Sequence, residues 1–243
     1  MMVRAFFLFA FFMIFFSAHA QYRYERAVPL EQNGDTSEWW KWADGYSKNL
    51  GIERMLYTED SMHYRYWTNE QIVDVWKGDD GKMRGKVVNF ARTYEPYDFT
   101  NQHQNPSTYY SDFTLLNDSE ITAVLKLFDS VESVPSEDSV KEWYQGQDGQ
   151  SYELENISGK NYSLRHYWSP QAQDTSILEV KRMIAFVNNM NEALRLHEKY
   201  SAFVTTLKPG AYSNDNFLIM TVLSKKQQRK RTRYLRKHPV PAN

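Results

Sequence analysis

Three tryptophans within four residues, Trp39, Trp40 and Trp42, form the densest group of chemically distinctive side chains in this 243-residue sequence. With Trp67, Trp76 and Trp168 they could build a stacking surface for sugar rings or peptide side chains, because a flat π-face supplies large contact area at small entropic cost. The competing expectation is that these rings fill the core between a helix and a sheet, and the density of the 39–42 group is what argues for more. A second group, His63, Arg65, Arg165 and His166, sits on two aromatic segments, HYRYW and LRHYW. If those segments lie side by side, the four basic side chains gather on one face and can receive an anion; the simpler reading is that they are solvated residues of a sheet face.

Other chemistries find no footing. The histidines at 63, 103, 166, 197 and 238 are scattered, none one helical turn or one strand alternation from another, so no metal site is expected. Gly78-Asp79-Asp80-Gly81 lacks the regular oxygen ligands and distal glutamate of a calcium loop and reads as a hairpin turn. No phosphate-binding glycine loop, nucleophile elbow or nucleotide fingerprint is present, and no cofactor is expected. A carboxylate pair for glycoside hydrolysis cannot be singled out among 30 acidic residues.

The elements that must position these groups follow from periodicity. Residues 36–50 have helical spacing, with Trp39, Trp42, Tyr46 and Leu50 on one face, a cap at Asp35, Thr36 or Ser37, and a stop at Gly51. Residues 63–94 read as an antiparallel three-stranded meander, preceded by a short strand at 54–58. The stretch 95–111 is turn-rich, long enough to hide a short strand. Residues 117–133 form an amphipathic helix capped by Asn117 or Asp118, and 136–144 a short one. A second hairpin spans 151–168. The longest helix, 175–200, begins at a Ser176–Glu179 capping box, and the apolar run 217–223 reads as a central strand buried on both faces. The fold class is α+β: a mostly antiparallel sheet covered by three helices. HYRYW and LRHYW occupy comparable places in two strand–helix units, a weak sign of internal duplication.

Residues 1–20 have the parts of an export signal: Arg4, an apolar run from Ala5 to Phe16, and small residues ending at Ala20. That run is shorter than the roughly 20 residues that span a bilayer. With no cysteine there are no disulfides or thiolate chemistry, so an exported chain must rest on its hydrophobic core. Residues 21–224 are expected to form one domain, and 225–243 a flexible basic tail.

The formal net charge of −1 conceals a segregation. The tail carries Lys225, Lys226, Arg229, Lys230, Arg231, Arg233, Arg236 and Lys237 and no acid, which leaves 20 basic against 30 acidic residues in 21–224. Such a tail suits lipid headgroups, acidic polysaccharide or the chain's own acidic body, rather than genomic nucleic acid. Asn117, Asn156 and Asn161 head glycosylation sequons. These features point to an exported, non-catalytic binding or interaction module for a glycan, a peptide or an anionic envelope surface. The alternatives are a secreted or periplasmic enzyme acting on polysaccharide, and a structural component tethered by its tail.

Overall fold

Two glycines in the left-handed region, Gly81 (φ 76°) and Gly159 (φ 57°), close the reversals that organise the sheet. A side chain with a Cβ adopts that conformation only at a cost. In the computed structural model, which describes residues 26–31, 34–94, 107–146, 148–213 and 219–238, Gly81 lies between β2 (Gln71–Lys77) and β3 (Met83–Thr93), and Gly159 between β5 (Ser151–Ser158) and β6 (Asn161–Trp168). With β1 (Met62–Trp67), β4 (Tyr109–Leu115), β7 (Gly210–Ser213) and β8 (Ile219–Val222) they form one eight-stranded antiparallel sheet, in the order β6-β5-β1-β2-β3-β7-β8 with β4 also paired to β3. The meander and the second hairpin are thus adjacent: Arg65 on β1 lies opposite Asp74 on β2 and Glu155 on β5.

The sheet is covered on both faces. On one, Tyr66, Val73, Val75, Val87, Leu154 and Tyr167 pack against α2 (Asp118–Val131) and α3 (Leu178–Leu194), whose inward residues include Phe128, Met183, Phe186 and Met190. The polar cap of α2 is reciprocal: the Asn117 side chain accepts from the Glu120 amide and the Glu120 side chain accepts from the Asn117 amide. On the other face, α1 (Glu38–Leu50) lays Ala43 and Tyr46 on Trp67, Ile72, Val88 and Phe90. This second core covers only part of its face, and ionic side chains are buried beside it.

Several boundaries differ from those the sequence suggests. The 54–58 segment is a single 3-10 turn at Met55–Tyr57, and 136–144 holds another at Glu137–Ser139. The strand hidden in the turn-rich stretch is β4; residues 95–106 and the expected export signal at 1–20 lie outside the described residues. The 175–200 helix is two helices, α3 and α4 (Leu196–Thr206), divided at Arg195, whose φ of 51° and ψ of 46° interrupt the helix. Its Ser176 box does not form: Ile177 precedes the first turn, and Ser176 instead donates its amide to Asp174 Oδ1 at 2.7 Å. The apolar 217–223 run supplies β8, which is last in the strand order and leaves Ile219 half exposed; it is not a central strand. Met220 and Val222 turn inward, toward Phe203 and Tyr212. Nor are the two strand–helix units equivalent, since β1 is central and β6 lies at the end of the strand order. The tail contains a helix, α5 (Lys225–Lys237), with no buried residue.

Candidate functional site

The first turn of α1 and strand β6 meet to make the most distinctive constellation. Ser37 starts α1, its hydroxyl accepting from the Trp40 amide and its own amide donating to Pro29 O at 2.9 Å. Trp39 is thereby set over β6, where it lies flat on His166, ring centroids 3.4 Å apart and planes 9° apart. At the edge of the imidazole are two buried acids. His166 Nδ1 is 3.0 Å from Glu153 Oε1, and Nε2 is 3.5 Å from Glu137 Oε1. Glu153 comes from the neighbouring strand, directly opposite His166 in the register.

Glu137 is held from three sides. Its Oε1 accepts from Gln145 Nε2 at 2.6 Å, its Oε2 accepts from the Trp168 amide, and His166 faces it. Burial raises its carboxyl above the ordinary range, against the pull of His166 and those hydrogen bonds. Ser136 locks the strand from outside, its Oγ accepting from the His166 amide at 3.1 Å.

Above this base is a cleft of about 640 Å³. Trp39, Pro29, Leu30 and Leu164 supply apolar wall, and Glu31, Asp138 and the hydroxyls of Ser37, Ser136 and Ser139 supply polar groups. Trp39 keeps 37 % of its surface exposed although one face is covered. A cleft with one aromatic face and a few convergent polar groups is the usual build of a small-ligand site.

The other tryptophans do not form a row beside Trp39. Trp42 meets Trp67 edge-on at 5.2 Å, and Trp67 is fully buried, its indole N–H donating to Glu155 Oε2 at 2.6 Å. Trp40, Trp76 and Trp168 are each half-buried. The 39–42 group therefore divides, with Trp42 in the core and Trp39 at the cleft.

The four basic residues do not form one receptor. Arg65 is fully buried and grips Asp74 with two bonds, Nε to Oδ1 at 2.7 Å and Nη2 to Oδ2 at 2.9 Å; its Nη1 donates to Glu53 O at 2.8 Å and Ser47 Oγ at 3.2 Å. His63 lies between Asp60 and Asp74, one ring nitrogen 2.9 Å from each carboxylate. Arg165 projects from the opposite face, where its Nη1 donates to the carbonyls of Val131, Glu132 and Val134 and closes the end of α2. The cations that were to receive an anion are already committed, His63 and Arg65 to internal acids and Arg165 to main-chain carbonyls.

Glu53, Asp60 and His63 are the trio among the described residues whose ligand atoms come close enough for a metal, all within 4.8 Å. The imidazole there is better suited to an ion pair. Both its nitrogens already meet carboxylates, Asp60 and Asp74; burial alone would depress His63, but the charge of Asp74 and the hydrogen bonds to Asp60 and Asp74 raise it.

The acids were the residues that sequence reasoning missed. Glu153 and Glu155 alternate with Tyr152 and Leu154 along β5, yet all four are buried; the available signal was the density of aromatic and basic residues on the paired strand β6. No protein-family model and no curated protein matches the chain. The reading of the site therefore stands on its geometry.

Proposed function

We propose that the protein is an exported, non-catalytic binding module whose cleft at Trp39 takes a glycan. The observation that carries this reading is Trp39 itself, a half-exposed indole backed by a buried imidazole and set at the wall of a cleft with hydroxyls and carboxylates around it. A sugar ring offers an apolar face of C–H groups to an indole and a rim of hydroxyls that need donors and acceptors. Glu31, Asp138 and the three serines supply those partners.

Binding is favoured over catalysis by where the reactive groups point. A general base must aim a free position at the reacting atom. His166 Nδ1 is bonded to Glu153, its Nε2 is buried without a hydrogen bond and turned toward Glu137 rather than toward the cleft, and both oxygens of Glu137 accept internal hydrogen bonds. This His–Glu assembly supports the indole from beneath and leaves recognition to the cleft wall.

The test is calorimetric titration of soluble oligosaccharides, chosen from a glycan array, into the wild-type protein and Trp39→Ala. Saturable binding that weakens roughly tenfold or more in the variant is expected, the loss typical of a central aromatic anchor. Release of reducing ends from the same oligosaccharides, abolished by Asp138→Asn, would overturn the non-catalytic reading in favour of a polysaccharide-degrading enzyme. Absence of any glycan binding would overturn the ligand class.

A further inference from the structure

Helix α5 (Lys225–Lys237) has a defined start and an unusual distribution of charge. Ser224 and Gln227 cap it reciprocally, the Gln227 side chain accepting from the Ser224 amide at 2.8 Å and Ser224 Oγ accepting from the Gln227 amide. Two residues thus separate the end of β8 from the start of the helix. At about 100° per residue, every cation of the helix except Arg231 falls within an arc of about 140°, and no other residue type enters that arc. Gln227, Arg231, Tyr234 and Leu235 occupy the far side.

The arrangement works against the isolated helix. Lys225 and Arg229, Lys226 and Lys230, Arg229 and Arg233, and Arg233 and Lys237 are like charges one turn apart, which repel. Lys225 and Lys226 stand at the positive end of the helix dipole with no acid in the first turn. Among the described residues, no carboxylate pairs with any of these cations, and the whole helix is exposed. A helix of 13 residues is short for stability by itself. Anions laid along the arc would remove the repulsion and reward the helical state.

We propose that α5 docks lengthwise on an anionic lipid bilayer, with the cationic arc against the headgroups. The charge is spread around more than a third of the circumference as well as along the axis, the layout that meets a plane of anions; a single polyanionic strand needs only one ridge. The apolar pair Tyr234 and Leu235 lies on the opposite side, so the helix adsorbs by charge without inserting. The acidic body, with 20 basic and 30 acidic residues in 21–224, is repelled by the same surface. α5 is therefore the point of contact.

The test is flotation of the full chain with vesicles of phosphatidylcholine alone or with roughly one-third phosphatidylglycerol, at about 50 mM and about 500 mM salt. Binding is expected only to the anionic vesicles, and should fall at least tenfold at high salt. The triple variant Arg229→Gln/Arg233→Gln/Arg236→Gln should lose it, whereas Arg231→Gln and Trp39→Ala should retain it. Retention in Trp39→Ala keeps this result separate from the fate of the glycan reading. Equal binding to neutral vesicles, an equal loss in Arg231→Gln, or binding to soluble heparin without binding to anionic vesicles would each overturn the proposal.

Discussion

Trp39 rests on His166 with its plane 9° from the imidazole, and the ring nitrogens of the imidazole meet Glu153 and Glu137 at its edge. One exposed ring is thus oriented by three buried side chains. The arrangement separates recognition from support, and substitutions at 166 should show that separation. His166→Ala removes the support and leaves buried Glu153 without its imidazole partner, so glycan binding should weaken and stability should fall by about 1–3 kcal/mol. His166→Phe keeps a flat surface beneath Trp39 while still leaving Glu153 without its partner, so stability should fall while the folded fraction binds nearly as well as wild type. Urea denaturation and calorimetry on both variants check this; equal loss of binding in the two would show that the imidazole does more than support the indole.

How much of this was legible in the sequence depends on the range of the interaction. Helix α1, the meander, the second hairpin and α2 follow from local periodicity and capping, and their edges fall within a few residues of those expected. The site does not, because His166 finds Glu153 through strand register and Glu137 through a 3-10 turn. Alternation along β5 identifies the face of Glu153 and Glu155 but not what covers it. Since α1 and its flanking turns cover that face, the acids are buried and must find Arg65, Trp67, Tyr162 and His166. Arg165 was placed with His166 because they are adjacent in sequence, yet adjacent residues on a strand point to opposite faces.

The division of the long helix at Arg195 was equally hidden, because apolar spacing continues through it. Arg195 holds φ at 51° between α3 and α4, with an exposed side chain paired to Glu198. A left-handed conformation costs a residue with a Cβ roughly 1–2 kcal/mol, and glycine avoids that cost while losing more chain entropy on folding. Arg195→Gly should therefore raise stability by up to about 1 kcal/mol, seen as a higher urea midpoint with an unchanged slope. A fall in midpoint would mean that the exposed Glu198 pair outweighs the backbone term.

Between the sheet and the paired helices α2 and α3, Phe186 is buried against the edges of Tyr66 and Phe128, at centroid distances of 5.2 and 5.6 Å. Phe186→Ala should cost about 3–5 kcal/mol through lost burial and the cavity left behind. The cleft lies on the other face of the sheet, so glycan affinity measured on the folded fraction should not change. A large affinity loss would indicate that the sheet transmits repacking to β6.

The buried group around Asp74 should give stability a dependence on pH from both sides. Burial alone would raise the Asp74 carboxyl, but the charges of Arg65 and His63 and their hydrogen bonds hold it well below the usual carboxylate range. A depressed carboxylate contributes stability above its unfolded value of about 3.9, and the contribution is lost as pH falls through the folded value. For His63 burial acts downward, and the charge of Asp74 with the hydrogen bonds to Asp60 and Asp74 raises it. A raised imidazole contributes fully below its unfolded value of about 6.5, and that contribution is lost as pH rises through the folded value. Stability measured by urea denaturation should therefore be greatest between about pH 4 and 6.5 as far as these two groups decide it. Asp74→Asn should cost about 3–5 kcal/mol at neutral pH by leaving Arg65 and His63 without their shared anion, and should remove the Asp74 contribution to the acid-side loss. His63→Gln should weaken the acid limb, because His63 helps hold Asp74 low, and flatten the alkaline one. An alkaline limb unchanged in His63→Gln would show that another group, such as Glu155, whose carboxyl is raised by burial against Arg65, sets the decline instead.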